Sequence, residues 1–303
     1  MATKATVGNV EIQVFVDATP PPRDPVQLFP DVPLEKWAPY KKEHLDADGK
    51  FRTDMCVWLL RSGGRTILVD TGLGPGPHER LGGQRGKLME HLTGVGVKPD
   101  DISTVVFTHL HGDHVGWNVT VEGGVKRLTF PKARYLVPQG DWDYFTRPEV
   151  MEKNPPISAS VVPLKELGAL DLVKGEVTIT PEIILAPTPG HTPGHQAVLI
   201  TSGGEKAMLV GDLFHTSVQV TEADWSPTFD WDKQLASETR RTWLDRLERE
   251  RTLVGAGHLP IGSNIGHIVR LKGRRYWQAL PERLVAAIRV LHFVGETLRF
   301  RSG

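Results

Sequence analysis

Residues 104–114 read Thr104-Val-Val-Phe-Thr-His109-Leu-His111-Gly-Asp113-His114, a short apolar run that opens into three histidines and an aspartate. In extended backbone, residues two apart project to the same side, so His109 and His111 can grip one ion. Gly112 lets the chain turn sharply, which frees Asp113 and His114 to face a neighbouring point. Imidazole nitrogen and carboxylate oxygen suit zinc, iron, manganese or cobalt. Packed together in a core without a cation, these groups would be costly to desolvate. The cluster therefore reads as a metal site.

Further candidates lie outward along the chain, each just past an apolar run that reads as a strand. Thr188-Pro-Gly-His191-Thr-Pro-Gly-His195 follows IILA (183–186). Gly211-Asp212 follows AMLV (207–210), and Gly257-His258 follows a short strand at 252–254. Any one of these is an ordinary turn dipeptide or loop. Their shared placement at strand ends, where ligands gather on α/β sheets, is the signal.

Other segments read as VEIQVFV (10–16), a first strand, and MCVWLL (55–60), which forms a hairpin with TILV across Ser62-Gly-Gly. RYLV (134–137) and QAVLI (196–200) are further strands. Residues 78–94 suggest a helix interrupted by glycines. Asp232–Arg249 is the best helix, with Leu235, Trp243, Leu244 and Leu247 on one face and an Asp245/Arg249 pair four apart. Pro281 opens a last helix carrying Leu284, Ile288 and Leu291. Alternating strands and helices broken by hairpins predict a layered α/β chain with mixed sheets. We expect one domain: a strand and arm over 1–50, a metal-binding core over 51–260, and a strand and helix over 261–303.

The segment Thr19–Pro33 is too proline-dense for a helix or central strand and reads as an extended arm. A surface connector is the plain expectation; a lid over the site, or a clasp making a homodimer, is the sharper one.

The 303 residues carry 36 Lys+Arg against 36 Asp+Glu, so no net charge is available to hold a polyanion, and nucleic acid is a poor partner. No apolar run is long enough for a membrane helix, and no secretory leader is visible. With Cys56 alone, no intrachain disulfide can form. A cytoplasmic location is the expectation.

HLHGDH at 109–114 resembles the H-x-H-x-D-H signature of the metallo-β-lactamase-fold hydrolases. The resemblance extends over about residues 50–260 through Asp70, TPGHTPGH, Asp212 and His258. It implies an αββα sandwich of two mixed sheets flanked by helices, with a dinuclear site. Carried over by position, His109, His111 and His191 would hold one metal, and Asp113, His114 and His258 the other. Asp212 would bridge them, Asp70 would orient a ligand imidazole, and His195 would support the site. The ions are expected to be two Zn2+, with Mn, Fe or Co as alternatives.

THLHGDHVGW and GDLFHTSVQV look most like the lactonase and organophosphate-hydrolase branch. In lactonases of that branch a substrate-contacting Tyr lies three residues past the bridging Asp; here the position is His215. The implied chemistry is attack by a metal-bridging hydroxide on an ester, lactone or phosphotriester, with Asp113 and Asp212 holding the metals. His215 would bond the oxyanion or protonate the leaving group. Trp117, Phe214, Trp225, Phe229 and Trp231 could line a pocket for a small molecule with an apolar acyl or aryl group. Cys56, within a strand, reads as inert core. Two other functions fit the ligand types: a mononuclear iron sulfur dioxygenase of the same fold, and a non-catalytic metal-binding regulator.

Overall fold

The computed structural model describes residues 3–280. The helix expected from Pro281 lies outside the described residues.

The first half of the chain supplies β1 (Thr3–Val7), β2 (Val10–Ala18), β3 (Met55–Ser62), β4 (Arg65–Val69) and β5 (Thr104–Val106). A small hairpin of β6 (Val119–Glu122) and β7 (Val125–Leu128) precedes β8 (Arg134–Pro138) and β9 (Leu170–Val173). The second half supplies β10 (Val177–Thr180), β11 (Ile183–Pro187), β12 (Gln196–Ser202), β13 (Glu205–Leu209), β14 (Leu253–Gly255), β15 (Ile265–Leu271) and β16 (Arg274–Ala279).

Two mixed seven-stranded sheets result, ordered β1-β2-β3-β4-β5-β8-β9 and β10-β11-β12-β13-β14-β15-β16. Each contains an antiparallel hairpin whose second strand pairs in parallel with the next: β3-β4 with β5, and β12-β13 with β14.

The apolar runs do not alternate because both faces of these strands are buried. Trp58 and Leu60 of β3 and Ile67 and Val69 of β4 face the second sheet, meeting Leu185, Val198 and Leu209. Val57, Leu59 and Leu68 face outward onto Leu88, Leu92, Phe145 and Leu164. These last four lie on helices Leu88–Gly94, Gln139–Phe145 and Val162–Glu166. On the far side, Met208 and Val210 pack against Leu244 and Leu247, which lie on helix Lys233–Glu250. The layers are therefore helix, sheet, sheet, helix, the αββα sandwich expected from the resemblance.

Several local expectations change. The proposed helix over 78–94 is a turn at Glu79–Leu81 followed by a separate helix at Leu88–Gly94. Gly82 and Gly83 take φ of 68° and 77°, left-handed backbone that ends helical pairing. The buried face of Lys233–Glu250 includes Arg240 as well as Leu244 and Leu247, whereas Leu235 and Trp243 are only half-buried. Asp245 pairs with Arg275 of β16 rather than with Arg249. The arm is not a loose connector: Leu28, Phe29 and Val32 are buried with Trp37, Phe51 and Trp225. No helix among the described residues is long and apolar enough to cross a membrane.

Candidate metal centre

The loop at 109–114 begins just past β5, and Asp70 grips it at both ends. Its Oδ1 accepts from Thr108 N at 2.8 Å, and its Oδ2 lies 2.8 Å from both Thr108 Oγ1 and His114 Nδ1. Asp70 does so from φ 64°, a left-handed conformation that Asp tolerates better than most residues. Asp141 ties this loop to the one carrying His191. Its carboxylate accepts from Leu110 N at 3.0 Å, Thr192 Oγ1 at 2.9 Å and Gly194 N at 2.6 Å. Burial pushes the Asp141 carboxyl up to about 6, against the pull of these donors.

Asp212 follows β13 through Gly211, whose φ is 54°. A Cβ at Gly211 would lie 2.7 Å from His195 Nε2. That closeness lets His195 Nε2 accept from Asp212 N at 2.9 Å, while Thr188 Oγ1 holds His195 Nδ1 at 2.7 Å. His195 thus supports the backbone of Asp212 and is not in either histidine cluster described next.

Two clusters converge. In the first, His111 Nδ1 lies 3.1 Å from His109 Nε2 and 3.0 Å from His191 Nε2. In the second, Asp113 Oδ2 lies 3.8 Å from His114 Nε2 and 3.7 Å from His258 Nε2. Asp212 stands between them. Its Oδ2 is 3.3 Å from His191 Nε2 and 3.0 Å from His258 Nε2, and its Oδ1 is 3.5 Å from His114 Nε2. All seven residues named as ligands from sequence are thereby brought together.

The chemistry of this donor set fits metal. Four imidazoles that point Nε2 inward have Nδ1 beside an oxygen: His109 at Thr108 Oγ1, His114 at Asp70, His191 at Asp230 Oδ1 and His258 at Asp54 O. His215, whose Nε2 also meets Asp212, has no Nδ1 partner among the described residues. An acceptor at Nδ1 fixes the tautomer and leaves the Nε2 lone pair free for a cation. His114 Nε2 and Asp212 Oδ1 are buried without a hydrogen-bond partner among the described residues. A cation on each side of Asp212 would satisfy both.

The electrostatics agree. Burial pulls His114 down, but the Asp212, Asp70 and Asp113 carboxylates outweigh it and lift the imidazole to about 10. His191 rises to about 9 against burial, through Asp212 and Asp230. His111 falls to about 3, by burial and the neighbouring His191. Burial would raise Asp212, yet the surrounding imidazoles hold it well below the usual carboxylate range.

Residues 57–258 match the family described as the Metallo-beta-lactamase superfamily. The chain belongs to this family. An N-acyl homoserine lactonase of Bacillus sp is 26% identical over 223 residues, covering 68% of this chain and 82% of its own. Another from Bacillus cereus is 27% identical over 225 residues, covering 67% and 80%. The crystal structure of AbOPH, a hydrolase of the beta-lactamase superfamily, superposes with a TM-score of 0.80 at 25% identity, covering 92% of this chain and 97% of that one. AidC, a dizinc quorum-quenching lactonase, gives 0.77 at 22% identity over 92% and 97% of the two chains, a likeness of fold.

On this metallo-beta-lactamase framework a cavity of about 820 Å³ opens over the two donor clusters, reaching His111, Asp113, Asp212, His215 and His258. Its apolar walls include Leu28 from the arm, Met55, Leu73, Leu81, Ile157 and Phe229. Of the aromatic residues proposed from sequence, only Phe229 lines it. Trp225 packs on Trp37 at 4.8 Å, Phe214 packs on Trp277 at 5.9 Å, and Trp117 is partly buried against the first sheet's outer core. Trp231 is 48% exposed and lies outside the cavity lining.

His215 Nε2 lies 3.0 Å from Asp212 Oδ2, and its backbone N–H donates to Gln219 Oε1 at 2.7 Å. Burial lowers its imidazole to about 4, against the Asp212 carboxylate, so the ring is neutral near pH 7. Cys56 is buried in β3, and burial raises its thiol far above the ordinary range.

Four residues around the site carried no readable signal in sequence: Asp230 and Arg240 behind His191, Asp141 between the two loops, and Gln219 under His215. Each is a lone polar residue in a loop or helix, and only the fold brings it near.

Proposed function

We propose that this protein is a two-metal hydrolase of esters, lactones or phosphotriesters with an apolar acyl or aryl part. The observation that carries the reading is the pair of three-residue donor clusters sharing Asp212. His109, His111 and His191 would hold one divalent ion, Asp113, His114 and His258 the other, and Asp212 both, with zinc as the expected metal. When bound, the pair supplies Lewis acidity at the carbonyl or phosphoryl oxygen and activates water near neutral pH.

The chain's own residues supply the rest. Leu28, Met55, Leu73 and Phe229 bury the apolar part of the substrate and exclude water from the reacting bond. His215, its backbone N–H held by Gln219, sets Nε2 beside Asp212 Oδ2 on the cavity wall and would hydrogen-bond a substrate oxygen once the metals engage the Asp212 carboxylate. Asp70 and Asp230 keep His114 and His191 in the orientation that aims Nε2 inward.

The test is a panel of aryl esters, lactones and phosphotriesters on zinc-reconstituted protein, with elemental analysis of the same sample. Two metals per chain and turnover of at least one class are expected. A single iron with oxygen uptake would replace this reading with a sulfur dioxygenase, and two metals without turnover of any class would leave a binding protein.

A further inference from the structure

The mouth of the cavity carries three cations from three separate segments: Arg23 of the proline-rich arm, Arg80 of the loop after β4, and Lys153 of the loop after helix Pro148–Met151. Only one acid, Glu79, joins them in the lining away from the metal cluster. In a chain whose charges otherwise balance, this is a local excess of positive charge. Elsewhere arginines are commonly matched, as Arg134 is to Asp171 and Arg270 to Glu248. Among the described residues no carboxylate lies within 4.0 Å of the side-chain nitrogens of these three. Arg23 is half-buried, and its backbone pairs both ways with Phe51, at 2.9 Å and 3.0 Å, so the root of its side chain is fixed.

We infer that the substrate carries an anionic group, a carboxylate or a phosphate, at the end remote from the bond that is broken. The inference rests on the hydrolase reading and narrows it. The apolar walls would hold the middle of the molecule, the metal cluster would hold the reacting end, and the rim cations would meet the far end. A rim with an excess of one sign of charge concentrates and steers the opposite charge, an effect that weakens with salt.

The experiment compares three 4-nitrophenyl esters of matched length on zinc-loaded protein: the hexanoate, the adipate monoester and the 5-phosphonopentanoate. The anionic members should exceed the hexanoate in kcat/KM by about tenfold or more at low salt, and the ratio should shrink at high salt. It should fall toward one in Arg23→Gln and further in the triple variant Arg23→Gln/Arg80→Gln/Lys153→Gln. The ranking of carboxylate against phosphonate identifies which anion the rim fits. A ratio of one or below in the wild type overturns the inference.

If none of the esters turns over, the hydrolase reading fails for this class, and calorimetry decides the inference separately. Adipamate should then bind more weakly to the triple variant than to the wild type, with uncharged hexanamide as the control. Equal adipamate binding to both proteins overturns it.

Discussion

His215 Nε2 lies 3.0 Å from Asp212 Oδ2, the same oxygen that His258 Nε2 approaches to 3.0 Å. The His215 ring is held on both sides, stacked on His258 at 5.2 Å and edge-on to Phe229 at 4.6 Å. A side chain so confined and facing the cavity is preorganised, and a preorganised donor needs no reordering when charge develops on the substrate. His215→Ala should keep both metals and lose about 10²–10³ in kcat, the usual loss for one such donor. Elemental analysis and kcat on the same preparation check it. A loss matched by missing metal would make His215 a ligand.

Asp212→Ala should separate folding from function. The carboxylate is buried and faces imidazoles of both clusters. Removing one partner from a buried charged network costs about 3–5 kcal/mol, here read as roughly 10²–10⁴ in metal affinity. Circular dichroism should remain that of the wild type, because the surrounding strands keep their pairing. Zinc affinity near the wild-type value, with normal turnover, would remove Asp212 from the mechanism.

The loops that carry the donor clusters were readable in sequence because each joins an apolar strand to His or Asp side chains, and both halves of that signal are local. The central strands were readable for the same reason, since residues buried on both faces leave unbroken apolar runs. The edges were not. β16 reads Arg-Arg-Tyr-Trp-Gln-Ala with alternate residues exposed, and β6 and β7 form a mostly exposed hairpin with charged side chains. Such strands exist because a neighbour offers hydrogen bonds, and one segment alone does not reveal its neighbour. The aromatic lining failed likewise: Trp225 lies in sequence near the motifs, yet the arm brings Trp37 to cover it. The same holds for Arg240, which hydropathy alone assigns to the solvent face of its helix.

Stripping the metals should lower thermal stability. His114 Nε2 and Asp212 Oδ1 are buried and unpartnered among the described residues, and unmet polar groups of this kind carry a desolvation cost. A metal at a thousandfold excess over its Kd would contribute about 4 kcal/mol through mass action. Melting temperature should therefore rise with free zinc and fall with a chelator, reversibly. A melting temperature indifferent to both would mean that the cluster is stable without a cation.

Behind His191 lies a buried relay. Asp230 accepts from His191 Nδ1 at 2.8 Å through Oδ1, and Oδ2 meets Arg240 Nη2 at 3.3 Å. Arg240 is fully buried, and it also donates to Leu213 O at 2.6 Å, Ala223 O at 2.7 Å and Trp225 O at 3.0 Å. The pair therefore has two separable effects: it ties down the loop after Asp212, and it supplies a charged acceptor to one imidazole. Arg240→Met alone strands the Asp230 charge and should cost about 3–5 kcal/mol in unfolding free energy. Adding Asp230→Asn removes that stranded charge, and the part of the stability lost to it should return, while the part lost with the donor to Leu213 O, Ala223 O and Trp225 O should not. Zinc affinity should not return with it. His191 would still lack its carboxylate, and losing such a partner typically weakens metal binding about 10–100-fold. Denaturant unfolding of the metal-free proteins, set beside zinc titrations of the same variants, measures the two effects independently. If the double variant regained stability and affinity together, Asp230 would be acting only as part of the scaffold.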